Sequence, residues 1–143
     1  FNLFSSKGSL TAITIFILIV GLVYQVVLRK TWKPTGLQMI VNELLHTVIP
    51  LYMLIYWWMN VQKENLRLKS IFPWLFYPAI YLILVMVRGY FSHYYPYPFL
   101  NIDQIGREKV LKNIIFILFL NLILIFILSF IGKYIINLKT KKL

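Results

Sequence analysis

Four long apolar runs, most of them flanked by basic residues, set the pattern of the chain and predict helices. Leu10–Leu28 carries nineteen residues without a charge and closes on Arg29 and Lys30. At about 1.5 Å per residue such a run covers about 30 Å, the hydrocarbon thickness of a bilayer. Although Lys7 precedes it, the run is too long for a signal-peptide core, and Gln25–Arg29 lacks a small-residue cleavage site. The second run extends from about Leu37 to Met59, after a Lys33-Pro34-Thr35-Gly36 turn. The third runs from about Ile71 to Val87 and ends at Arg88-Gly89, with Pro73 in its first turn and Pro78 further in, where a bend is expected. A loop of about twenty residues follows, reading SHYYPYPFLNIDQIGREK, and the last run is Ile114 to about Ile131. Uninterrupted runs of this length fit spanning helices and not the alternating strands of a barrel. The expectation is one all-α domain over residues 1–143, a polytopic bundle of four antiparallel transmembrane helices.

Composition agrees. The chain is 60% hydrophobic and 13% charged, with a mean hydropathy of +0.76, too apolar to cover itself with polar groups in water. It has no cysteine, which excludes disulfides, thiolate metal sites and cysteine nucleophiles. The net charge of +11 does not point to nucleic acid, because the basic residues lie between or beside the apolar runs, where lipid headgroups would be. Membrane lipids are therefore the expected partners, and the cell membrane the expected location. Eight basic residues fall on the side holding both termini and seven on the other, so orientation rests on the Lys-rich tail, which points to a cytoplasmic C-terminus. The chain begins with Phe, and upstream sequence is expected. Oligomeric state has no signature here.

Antiparallel threading brings Gln25, Asn42, Glu43, His46, Arg88, Asn113 and the aromatic loop to one membrane face. On the second helix Asn42 and His46 are four apart, Glu43 and His46 three, and Glu43 and Thr47 four, so they share a stripe with Pro50 one turn deeper. Polar groups at this depth usually face the bundle interior. His46 either bonds a neighbouring helix or serves a catalytic or ligand-binding role. Glu43 with His46 matches one Glu-x-x-His unit of a di-iron bundle, but two histidines and four acids in all are too few for that site. No metal or cofactor is expected. Arg88 either reaches the headgroups, binds an anionic group or pairs with Glu43. His93 is expected in solvent, and YYPYPF forms either an interfacial cap or a substrate lid. No nucleophile elbow, phosphate-binding loop, zinc-protease motif or dinucleotide fingerprint is present.

The segments GLVYQVVLR (21–29), NELLHTVIP (42–50), WLFYPAIYLI (74–83), RG (88–89) and YPYPFLN (95–101) resemble the bacterial branch of the androgen-induced-gene-like integral membrane proteins. The resemblance covers about Thr11 to Tyr134 and implies the last four of six helices. Animal members hydrolyse fatty-acid esters of hydroxy fatty acids with a threonine and a histidine. By its N-x-x-x-H-T context His46 takes the place of that histidine, while the threonine belongs to an earlier helix without a counterpart in these residues. The resemblance thus implies His46 as the catalytic residue, and the shared polar face and aromatic loop make Asn42, Glu43, Arg88, Tyr95 and Tyr97 the candidate substrate-binding residues. The leading expectation is a lipid ester hydrolase, when complete, with a polar pocket at one membrane face. The alternative is a non-catalytic lipid-binding or small transporter component.

Overall fold

Four helices long and apolar enough to cross a membrane carry most of the structure: α1 (Ser9–Leu28), α2 (Leu37–Asn60), α3 (Leu68–Ser92) and α4 (Arg107–Thr140). The computed structural model describes residues 8–30 and 34–141, and among them there is no strand. This is the architecture of a multi-pass membrane protein. Large apolar side chains cover its outer surface, among them Leu37, Ile55, Phe76, Phe91 and Phe130, as expected where lipid is the solvent.

The helices run longer than the apolar runs that foretold them. α4 begins at Arg107 rather than near Ile114, and α3 extends from Leu68 to Ser92. Hydropathy marks only the stretch that fits hydrocarbon, whereas the backbone ladder continues into polar turns made of good helix formers. The first turns of α4 carry such a support, Lys112 Nζ donating to Glu108 Oε1 at 2.6 Å. The loop expected at about twenty residues shrinks accordingly. Within it lie a short 3-10 turn, Pro98–Leu100, and one helical turn, Ile102–Ile105, capped by Asn101 Oδ1, which accepts the Gln104 amide at 3.1 Å. Before Pro78, α3 tightens to a 3-10 turn over Phe72–Leu75 and becomes α-helical from Phe76.

Two close approaches fix the hairpin of α1 and α2. A Cβ on Gly21 would stand 2.8 Å from Pro50 Cγ and 3.1 Å from the His46 carbonyl oxygen, so only glycine lets the backbones come this near. At the other end the Trp57 indole, fully buried, donates to Thr11 Oγ1 at 3.0 Å. A main core of Ile15, Ile19, Trp57, Leu66, Ile71, Ile125 and Leu128 joins α1, α2, the turn after α2, the start of α3 and α4 there. A second, smaller cluster sets Leu82 and Val85 of α3 against Leu100 and Val110. Between the two clusters the bundle is not filled.

Candidate functional site

Proline chemistry shapes the first part of the site. Pro50 has no N–H to offer the carbonyl of residue 46, and its ring crowds that carbonyl, so the preceding turn must open. It does: Leu44–Val48 is a π-helical turn, with the Ile49 amide reaching five residues back to Leu44. The facing stretch of α1, Tyr24–Leu28, is also π-helical, with the Arg29 amide on the Tyr24 carbonyl at 2.8 Å. Such turns re-aim side chains and recur at functional sites. Here they carry His46 and Tyr24 toward each other.

The polar residues of α2 find their partners on α1. Asn42, 4% exposed, donates its amide to the Tyr24 hydroxyl. The Tyr24 ring stacks on His46, and His46 Nδ1–H donates to the Asn42 carbonyl at 2.9 Å. A carbonyl only accepts, so Nδ1 carries the proton, and in the neutral ring Nε2 keeps its lone pair. Beside these contacts a closed ring of bonds links the two helices. Arg29 donates to Gln25 Oε1 at 2.6 Å and to Glu43 Oε1 at 3.0 Å, Gln25 Nε2 donates to Thr47 Oγ1 at 2.8 Å, and Thr47 donates to Glu43 Oε2 at 2.7 Å.

Beyond His46 lies a cavity of about 430 Å³. Its walls are Phe16, Ile19, Val20 and Val23 of α1, Tyr77, Pro78, Tyr81 and Leu82 of α3, Tyr97, Phe99 and Leu100 of the connecting segment, and Ile117 of α4. The side chains with polar groups that line it are His46, Asn121, Tyr77 and the hydrogen-bonded pair Tyr81 and Tyr97, whose hydroxyls stand 2.9 Å apart. Burial first, then the bond with Tyr81, pushes the Tyr97 hydroxyl up to about 12, so it stays neutral. Asn121 is 1% exposed; its amide donates to the Ile117 carbonyl at 2.9 Å, and its carboxamide oxygen has no hydrogen-bond partner. Among the described residues no charged side chain lines this space.

Of the six residues singled out from the sequence, His46 and Tyr97 line the cavity, while Asn42 and Glu43 stand behind His46 in the α1–α2 network. Arg88 and Tyr95 stand elsewhere. Glu43 pairs with Arg29, and the Arg88 guanidinium lies 5.4 Å above the Tyr94 ring. The Tyr95 ring packs directly on Gly89, where an added Cβ would meet it at 2.1 Å. His93, largely exposed as expected, bonds Asp103 Oδ2 through Nδ1 at 3.0 Å. Sequence reasoning missed Tyr24, Arg29, Tyr81 and Asn121. Among the described residues no three His, Asp or Glu side chains gather closely enough to hold a metal ion.

An apolar cavity with a few polar side chains on its wall, inside a bundle of four helices long and apolar enough to cross a membrane, is the class of site this fold defines. No family model matches the chain, and neither a curated protein nor a solved structure does.

Proposed function

We propose that the protein binds a long-chain, largely apolar ligand within the membrane and holds the ligand's polar group among His46, Asn121 and the Tyr81–Tyr97 pair. The observation that carries this reading is the cavity of about 430 Å³, whose described lining is apolar except at those four residues and Tyr77. Its size falls in the range of about 300–1,000 Å³ typical of small-molecule sites. The absence of a charged side chain among the described lining residues favours a ligand whose polar end is neutral. The test is photo-crosslinking in nanodiscs with a diazirine-bearing long-chain alcohol. Labels are expected on cavity residues such as Val20, Tyr77 and Leu82, with competition by unlabelled alcohol and loss of labelling in a cavity-filling Val20→Trp variant. Labels spread evenly over the lipid-facing surface would sink the reading.

One observation favours a second reading, ester hydrolysis, which the family resemblance also implies. His46 is held with its proton on Nδ1, which leaves Nε2 free to take a proton from a hydroxyl as that oxygen attacks an ester carbonyl. Thr47 is not that hydroxyl, because it donates to Glu43 and accepts from Gln25. In the resembled family the nucleophile is a threonine of an earlier helix than those matched by the segments quoted above. The full-length protein should then cleave a long-chain fatty ester, and His46→Ala should abolish turnover while the protein stays monodisperse in detergent. Retained activity in that variant would remove the histidine from the chemistry. The Lys-rich tail favours a cytoplasmic C-terminus, and the cell membrane of a bacterium is the location the resemblance supports.

A further inference from the structure

At the face opposite the His46 network, the turn after α2 folds back against the end of α4. Leu66, 4% exposed, sits directly over Gly132, where a Cβ would meet Leu66 Cδ2 at 2.6 Å. That contact anchors the turn and sets Lys63 and Arg67 on either side of a fixed point, with Lys133 next along α4. Lys139 Nζ donates to the Met59 carbonyl at 3.0 Å and ties the same two ends together. The result is a pocket of about 620 Å³ lined by Lys63, Arg67, Lys69 and Lys133, with Leu66, Leu68 and Ile136 as its apolar walls and Asn137 beside them.

Four cations in one pocket repel one another unless something neutralises them. Glu64, the acid of this turn, does not line the pocket, and the ion pairs among the described residues lie elsewhere, at Arg29–Glu43, His93–Asp103 and Lys112–Glu108. We propose that this pocket binds the headgroup of an anionic phospholipid, preferring one with two phosphates over one with a single phosphate. Phosphate oxygens accept charge-assisted bonds from ammonium and guanidinium groups, and basic pockets at helix ends are the recurrent form of headgroup sites. The leucine and isoleucine walls and the position at the ends of spanning helices favour a lipid over a free phosphate ion. Charge matching favours two phosphodiesters, because a single one leaves most of the cationic charge unopposed.

The test is titration of the purified, intact protein in neutral detergent, read by native mass spectrometry. The lipids are diphosphatidylglycerol, phosphatidylglycerol and phosphatidylcholine of equal chain composition, with pyrophosphate as competitor. The expected affinity order is the order just given, with binding weakened as salt rises from about 0.1 to 1 M, where the screening length falls from about 10 to 3 Å. Replacing the cations singly (Lys63→Gln, Arg67→Gln, Lys69→Gln, Lys133→Gln) should weaken diphosphatidylglycerol binding about fivefold each. Equal binding of phosphatidylcholine, or indifference to salt, overturns the proposal. Pyrophosphate displacing the lipid at comparable concentration overturns the choice of a lipid and makes the pocket a soluble-phosphate site. The ranking and salt dependence are read on the unmodified protein, so they stand even if a variant fails to fold.

Discussion

The Tyr24 ring lies on the His46 imidazole with 4.4 Å between centroids and 25° between planes, while its hydroxyl takes the amide of Asn42. One buried side chain of α1 thus orients two polar residues of α2, Asn42 and His46, and the two contacts can be separated. Tyr24→Phe keeps the stack and removes the acceptor, leaving a buried amide unpaired at a cost of about 1–3 kcal/mol. The melting temperature in detergent should fall accordingly. In the Tyr24→Phe background, Asn42→Leu should cost far less than it does alone. Strictly additive losses would show that the two groups do not depend on each other.

The Arg29–Glu43 pair shows what the sequence held and how it was missed. Arg29 and Glu43 each stand seven residues from Gly36, and Gln25 and Thr47 each stand eleven from it. In a helical hairpin turning at Gly36, where φ is +61°, positions equidistant from the turn meet. Once α1 and α2 are recognised as such a hairpin, this pairing is legible. Reading Glu43 against Arg88 instead overlooked the nearer cation. Both side chains of the Arg29–Glu43 pair are substantially exposed, at 52% and 39%, so Glu43→Gln should cost less than about 1 kcal/mol. A thermal shift well beyond that would mean the ring through Gln25 and Thr47 acts as one unit.

Gly21 carries the hairpin's closest approach. Gly21→Val would drive its side chain into the Pro50 ring and the His46 carbonyl, and overpacking of this kind costs about 1–3 kcal/mol. The same substitution should also displace His46 and reduce cavity labelling. Unchanged stability and labelling would show that the two helices can separate without consequence.

Alkaline pH tests the connecting segment. The Tyr97 hydroxyl titrates near 12 in the folded protein against 10.0 ordinarily. The unfolded chain therefore loses this proton first, and the stability contributed by the neutral hydroxyl is intact below pH 10 and lost as pH rises from about 10 to 12. Tyr97→Phe should flatten that part of the stability profile relative to the unmodified protein. An identical slope in both would place the hydroxyl in an ordinary aqueous setting.

The fold was readable because bilayer thickness imposes run length, and the extra turns of α3 and α4 escaped because hydropathy does not register helix outside hydrocarbon. The cavity escaped for another reason. Val20, Tyr81 and Asn121 come from three different helices, and no spacing along one helix reports which faces of three helices leave a gap between them.

Asn121 is the sharpest case, and it separates structure from function. In an apolar stretch of α4, from Ile114 to Leu128, it is the one residue that breaks the run of Ile, Leu and Phe. Half of its carboxamide is satisfied by the Ile117 carbonyl, and the oxygen is buried without a donor. An unpaired buried acceptor costs about 1–3 kcal/mol, so for stability alone leucine, of similar shape, would serve better at this position. Asn121→Leu is therefore expected to raise the melting temperature of the ligand-free protein while weakening its retention of a long-chain alcohol relative to an alkane of equal length. The opposing signs distinguish the explanations. If the substitution lowers stability, the oxygen has a structural partner, such as a bound water, and its cost is already met within the fold. If stability rises and the preference for the alcohol is unchanged, the polar end of the ligand is held by His46 and the tyrosine pair without the carboxamide.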